Sequence, residues 1–477
     1  MVTAASELPE IIQGGMGIGV SGWQLAAAAA RAGAMGVVSG VALDTTMVRR
    51  LQDGDPGGHL RRAFEAFPVQ EIAQSVLARY WNPAGRTPGQ PYRLLTRPSL
   101  SPRPERQWVS VLAAFAEVHL AKQAAEGRGA IGVNFLEKVQ LGNPAAAYGA
   151  VLAGVDAVLV GAGIPARFPE MIRKLARHAR FELPVDVEGA GDRHYSLAID
   201  PQGVLGRRLA DLEAPSFLAI VSSHTLASFL ARDPVTRPDG FVVESPVAGG
   251  HNAPPRGQLR LDERGEPIYG PRDAADFSLL STLGLPFWIA GGQSGRASLS
   301  GAREAGARGI QVGTLFALCE ESGLAERLRI EVLASLGAGR LRVRSDARAS
   351  PTGFPFKVAE LEATMSEPHE YEKRPRSCDL GYLRTPYVTP GGAVGYRCSA
   401  EPAASFVRKG GAEADAAGRL CLCNGLVSNI GLAQTRRGGY VEPPAVTLGA
   451  DTVGAREMLR MHPAGWSASD VVAFLSS

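Results

Sequence analysis

From its start to about residue 335 the chain alternates short, unbroken apolar runs with longer stretches rich in alanine and leucine, and most of the apolar runs end in small residues. Unbroken apolar runs are what a strand buried on both faces requires. The stretches between them are long enough for crossover helices, so the pattern predicts a parallel sheet. Eight such runs occur, at residues 10–13, 35–39, 130–135, 157–160, 217–221, 241–243, 286–290 and 309–312. Eight strands, each followed by a small-residue loop and mostly by a helix, make the count of a closed barrel, so the expected fold class is α/β, a (β/α)8 TIM barrel.

Two stretches interrupt the alternation. Residues 53–129 form an insert after the second strand, with a Pro- and Arg-rich middle and helical flanks. Residues 183–208 form an excursion that reads as a hairpin lying over the mouth, or, with 184–187 taken as a barrel strand, as a different register. Beyond about residue 340 the alternation stops and Arg, Pro, Gly and Tyr take over. There, 349–356 reads as an extended segment packing its aromatics on the barrel, and 455–475 as one or two helices broken at Pro463. The expected organisation is a barrel domain at 1–335, with its insert at 53–129, and a Cys/Gly/Pro-rich extension at 336–477 packing on the barrel.

Composition narrows the class. A chain of 477 residues with 45% hydrophobic and 20% charged residues is expected to be a globular protein with one large domain and an addition, or two to three domains. No run of about 18 uncharged apolar residues appears and the start lacks a signal pattern, so a cytoplasmic location without membrane contact is expected. A net charge of +3 with both signs spread along the chain gives no case for nucleic acid. Five cysteines in so long a chain do not make a disulfide scaffold. Cys378, Cys398, Cys421 and Cys423 fall in the last quarter and read either as a zinc or iron–sulfur site or as ordinary buried thiols. Their spacing does not match the usual Cys-x-x-Cys pairs, and no metal is expected at the barrel site.

The candidate chemistry lies in the loops that follow the strands, because the carboxyl end of a (β/α)8 barrel carries the active site. After the sixth strand the chain reads Glu244-Ser245-Pro246-Val247-Ala248-Gly249-Gly250-His251. Glycines let backbone approach a flat or charged ligand, and an imidazole can take a proton near neutral pH. A histidine after two glycines is equally a loop residue held by hydrogen bonds. Gly291-Gly292-Gln293-Ser294-Gly295 and Gln311-Val312-Gly313-Thr314 follow the last two strands, where such barrels commonly hold a phosphate. Arg256 could attract an anionic substrate. His194, with Asp192 and Tyr195, and His224 are lesser candidates for polar groups at the mouth.

With these residues in place, the chain resembles the nitronate monooxygenase family, also called 2-nitropropane dioxygenase-like, over residues 8–330. The matches are Gln13-Gly14-Gly15-Met16-Gly17, Asn134, Gly161-Ala162-Gly163-Ile164-Pro165, Ala248-Gly249-Gly250-His251, Ala290-Gly291-Gly292 and Gln311-Val312-Gly313-Thr314, in the family's order and at the right strand ends. The resemblance implies an FMN cofactor, with Gly15 and Met16 against the ring and Asn134 in the flavin region. It further implies Glu244, Gly249 and Gly250 on the sixth-strand loop, and Gly291, Gly292, Gln311, Gly313 and Thr314 around the phosphate end. His251 matches the catalytic base. The implied reaction is oxidation of nitroalkanes or alkyl nitronates with O2, and a homodimer is compatible with it.

The chain departs from the family where Glu244 replaces a neutral amide and where Asn252-Ala253-Pro254-Pro255-Arg256 follows His251. Glu244 and the first glycine loop also look like the trans-acting enoyl reductases of polyketide and polyunsaturated fatty acid synthesis. An NAD(P)H:quinone reductase on the same scaffold and an FMN-binding module without turnover stand as further alternatives, since fold resemblance does not choose among them.

Overall fold

The computed structural model describes residues 4–477. Eight strands, Ile11–Gln13, Gly36–Ser39, Ile131–Leu136, Ala157–Gly161, Ser216–Val221, Gly240–Glu244, Phe287–Ala290 and Gly309–Val312, form one sheet in which every neighbouring pair is parallel. Each pairs with its predecessor and successor among the eight, and the first also pairs with the last. The seam between the first two strands closes at Ile12 and Met35, where Gln13 N–H donates to Met35 O (2.9 Å) and Met35 N–H to Ile11 O (2.9 Å). The buried Gln13 side chain extends that seam, its Oε1 accepting from Val37 N–H at 3.0 Å. The chain is therefore a (β/α)8 barrel, as its eight apolar runs predict.

Successive side chains on each strand point to opposite faces. Leu159, Leu218, Val242 and Trp288 fill the barrel interior, while Val158, Val160, Phe241 and Phe287 join the larger core under the helices. Leu8 plugs the amino-terminal end of the barrel, and Trp288 Nε1 donates to Pro9 O there at 2.9 Å. The opposite, carboxyl end stays open as a cavity.

The insert after the second strand holds the helices His59–Glu65, Gln70–Tyr80 and Pro104–Ala124. The last of these packs against the first barrel helix, Trp23–Arg31, and against Asn143–Leu152 after the third strand. The excursion near residue 190 is a hairpin, Phe181–Pro184 antiparallel to Ser196–Ile199, and the barrel's fourth strand pairs directly with Ser216–Val221. This excludes the register in which 184–187 is a barrel strand. Nor does the hairpin cover the mouth. Its Glu188 exchanges backbone bonds with Pro386 (3.0 Å) and Val388 (2.9 Å) of the extension strand Thr385–Val388, outside the cavity.

The extension starts with an antiparallel pair, Arg342–Asp346 and Phe356–Glu360, and ends in the helices Val453–Met461 and Ala468–Ser476. The eighth strand is followed by the short helix Thr314–Ala317 and then by Glu326–Gly337. The last helix of the chain joins the outer ring here, touching Trp23–Arg31, Ser298–Glu304 and Thr314–Ala317. Trp466, 1% exposed, anchors this end by donating from Nε1 to Leu315 O at 2.9 Å. A buried ionic network ties the extension to the barrel helices. Asp44 pairs with Arg106 (2.5 Å), accepts from Ser110 Oγ (2.9 Å) and accepts from the hydroxyl of Tyr382. A second buried pair, Arg374 with Glu442 at 3.1 Å, holds the extension's own core.

Candidate active site

The glycine loops predicted to carry chemistry converge at the open end of the barrel. The first, Gly14–Gly17, is held by Ser21, whose Oγ donates to Gly14 O (2.9 Å) and accepts from Met16 N–H (2.8 Å). Asn134, near the end of the third strand, donates from Nδ2 to Gly15 O at 3.1 Å. The two backbones come so close that a Cβ on Gly15 would lie 2.4 Å from Asn134 Cβ, which explains the glycine. The sixth strand delivers Glu244 and then His251. After the seventh, Gly291 and Gly292 take left-handed conformations at φ +80° and +73°, and the eighth delivers Gln311, Gly313 and Thr314.

All twelve predicted site residues line one cavity: Gly15, Met16, Asn134, Glu244, Gly249, Gly250, His251, Gly291, Gly292, Gln311, Gly313 and Thr314. Three amide oxygens on its wall, Asn134 Oδ1, Gln311 Oε1 and Asn429 Oδ1, are buried without a hydrogen-bond partner. Buried polar atoms normally have one, so these acceptors are free for a ligand.

Two titratable groups on the wall are shifted in opposite directions by the same cause. Burial pushes the His251 imidazole down to about 4, so it is neutral at pH 7, with a nitrogen lone pair open to a proton. Burial likewise pushes the Glu244 carboxyl up to about 8, leaving it protonated, with no neighbouring cation to reverse the shift. His251 Nε2 lies 2.7 Å from Ser350 Oγ, and its ring meets Phe356 edge-on at 4.9 Å.

Ser350 and Phe356 belong to the extension, as does a strap over the mouth, residues 446–451. There Gly250 N–H donates to Thr447 Oγ1 (2.8 Å), Gly449 N–H to Thr314 Oγ1 (2.9 Å), and Ser294 Oγ to Asp451 Oδ2 (2.8 Å). Gly249 lies directly under the strap, and a Cβ there would sit 2.9 Å from the Leu448 carbonyl carbon. Sequence reasoning missed these extension residues. Their nearest signal was the aromatic run at 354–356.

Several lesser candidates lie elsewhere. Arg256 is exposed and, with Tyr269 and Asp273, lines a small pocket on the other side of Glu244. His194 is exposed on the outer hairpin. His224 opens the helix His224–Arg232, where its Nδ1 accepts from Asp276 N–H at 3.2 Å. In the extension, Cys398 and Cys421 pack together, and burial pushes the Cys378 thiol up to about 11 and those of Cys398 and Cys423 higher still. Among the described residues no group of three or more potential ligands is placed to hold a metal ion, and no helix is long and apolar enough to cross a membrane.

Fold and site together define a (β/α)8 barrel with a ligand cavity at its carboxyl end, walled by glycine loops and one neutral histidine. No protein-family model matches the chain, and no curated protein does. Among solved structures it is similar to a variant of FabK from Thermotoga maritima, at 14% identity and TM-score 0.42 over 98% of this chain and 90% of that one. It is also similar to a nitroalkane oxidase from Streptomyces ansochromogenes, at 18% and 0.43 over 98% and 94%. A third is the enoyl reductase domain of MlnA from the macrolactin biosynthesis cluster of Bacillus amyloliquefaciens, at 11% and 0.46 over 98% and 93%. Likenesses at these identities and scores carry no weight for activity, which rests on the site itself.

Proposed function

We propose that the chain is an FMN-dependent oxidoreductase of nitronate monooxygenase type, acting on small nitroalkanes or their nitronates with O2. The observation that carries this is His251: a neutral imidazole on the cavity wall with one nitrogen fixed by Ser350 and the other without a partner among the described residues. The cavity suits a flavin. Asn134 and Gln311 offer unpartnered amide oxygens to ring or ribityl donors, and the left-handed Gly291-Gly292 turn with Gly313 and Thr314 leaves room for a phosphate. Bound there, FMN would supply a two-electron acceptor that O2 reoxidises.

The protein's own part begins with orientation. Met16, Ile220 and Leu324 give the cavity apolar walls that exclude water from the reacting carbon. His251 then takes the proton from the carbon bearing the nitro group, on the nitrogen that Ser350 does not engage. The C–H electron pair stays on the substrate as the nitronate, ready for oxidation.

One observation favours a second reading. Glu244 is a protonated carboxyl in the same cavity, and an enoyl reductase needs a proton donor to complete the saturated product after hydride delivery. The two are separated by anaerobic bleaching of the purified yellow protein. Reduction by a nitroalkane alone supports the monooxygenase, reduction by NADH or NADPH alone supports the reductase, and a colourless protein that takes up no FMN sinks both.

A further inference from the structure

The histidine on the cavity wall is held by residues about a hundred positions downstream. Backbone bonds fix the loop on both sides of it: Lys357 N–H donates to Gly250 O and Asn252 N–H to Pro355 O, each at 2.9 Å, and His251 itself bridges Phe356. The residue facing its Nε2, Ser350, is fully buried and equally fixed. Arg419 Nη1 donates to Ser350 O at 2.6 Å, and Asp346 Oδ1 accepts from the N–H groups of Arg348 (2.8 Å) and Ala349 (2.9 Å). Ser350 Oγ has a second hydroxyl neighbour, Thr352 Oγ1 at 2.8 Å, and accepts from Thr352 N–H at 3.2 Å.

From this arrangement we infer that Ser350 is the positioning residue of the site: its hydroxyl accepts Nε2–H of His251 and donates its own hydrogen bond to Thr352 Oγ1, leaving Nδ1 as the basic nitrogen. The inference rests on the proposed role of His251 as base. A neutral imidazole carries one proton, so a serine that donated to Nε2 would place N–H on Nδ1, and the ring would then have no base to offer. With Nε2–H bonded to Ser350, the same bond survives when Nδ1 gains the substrate proton. The hydroxyl dipole is already aimed at the charge that forms, with no rearrangement needed. Of the charged or titratable groups on the elements that meet at the ring, Glu244 and Asp451 line the same cavity, Arg419 bonds the Ser350 carbonyl, and Lys357 follows Phe356 with its ammonium on Ser345 Oγ. All four stay in place in a serine variant.

The test is a long-range proton–nitrogen spectrum of the flavin-loaded protein labelled with 15N-histidine, with the His251 signals among the eight histidines assigned by their loss in His251→Asn. Nε2 should be protonated and Nδ1 bare at neutral pH, and in Ser350→Ala the two tautomers should mix. With nitroethane as substrate, kcat in Ser350→Ala should fall on the order of 10- to 100-fold, as for a catalytic group loosened from its geometry. The acid limb of kcat/KM should move to lower pH, because the lost acceptor had stabilised the imidazolium. Ser350→Thr should restore both. A wild-type His251 protonated on Nδ1 overturns the inference without need of any variant. So does a Ser350→Ala protein, folded by thermal midpoint, whose spectrum and acid limb match wild type. If His251→Asn keeps full turnover of nitroethane while the wild-type tautomer is as stated, the base assignment fails and the Ser350 hydrogen bond stands.

Discussion

Asp44→Asn should be among the most destabilising single changes in this chain, although it swaps one atom and lies outside the cavity. Asp44 and Arg106 side chains are each 6% exposed and meet at 2.5 Å, and Arg106 Nε already lacks a partner. Asparagine keeps only one of the two oxygens, so it can accept from Tyr382 or from Ser110 but not from both, and it leaves the guanidinium buried without an anion. Removing one partner of a buried pair costs about 3–5 kcal/mol, a large share of the roughly 5–15 kcal/mol that holds a typical domain. The sign with pH follows from the carboxyl itself. Burial pushes it up, but Arg106, Tyr382 and Ser110 together hold it below the usual carboxylate range. Its contribution is therefore complete above the ordinary carboxylate pKa and is lost as pH falls through the lowered value, so the gap between variant and wild type should narrow in acid. Urea unfolding followed by tryptophan fluorescence measures this, from midpoints compared at a common slope. In the double variant Asp44→Leu/Arg106→Met most of the loss should return, because an apolar pair of similar volume needs no compensation. An Asp44→Asn protein within about 0.5 kcal/mol of wild type, the range of an ordinary surface substitution, would refute the reasoning. A double variant no better than the single would refute it too.

Three further outcomes bear on the cavity. His251→Asn should cut turnover of a neutral nitroalkane by about 10²- to 10⁴-fold, the usual value of a general base, while a nitronate prepared beforehand is oxidised nearly as fast and FMN content is unchanged. Equal losses on both substrates would argue against a base. Gly249→Val places a branched side chain against Leu448 and Gly449. It should displace the strap at a cost of about 1–3 kcal/mol and weaken FMN at least tenfold in a fluorescence titration, and unchanged affinity would show that the strap does not clamp the cofactor. Glu244→Gln keeps the shape but removes the group titrating near 8, so an alkaline limb of kcat/KM near pH 8 in wild type should disappear; a limb that persists belongs to another group.

The barrel was legible because each of its signals is local. An apolar run such as Phe241-Val242-Val243, short, β-branched and bounded by turn residues, reads as a strand buried on both faces, and the glycines after it mark where backbone must turn or approach closely. All twelve site residues sit within a few positions of a strand end, so finding the strands placed them around one opening. The extension's share of the same wall was not legible. Ser350-Pro351-Thr352-Gly353 has the composition of any turn, and nothing in it announces a histidine 99 residues earlier. Thr447 and Gly449 reach Gly250 and Thr314 across separations of 197 and 135 residues, set by packing alone. The stretch near residue 190 reads from sequence either as a hairpin over the mouth or as a different barrel register. Its backbone bonds to Pro386 and Val388 draw it to the outer side instead.

The opposite shifts of His251 and Glu244 have a consequence for which substrate the cavity prefers. A group in a low-dielectric wall is driven to its uncharged form whatever its sign, so between about pH 4 and 8 neither carries charge. Arg256, the cation that might have drawn an anion in, points to a different pocket, and Asp451 on the wall is an acid. An anionic nitronate entering from water would lose hydration with no countercharge supplied by the wall, whereas a neutral nitroalkane would not. Charge would then appear only after the proton moves, as an imidazolium and a nitronate formed side by side. Their mutual attraction exists in the product of proton transfer and not in the ground state, and an interaction of that kind lowers the barrier rather than merely tightening binding.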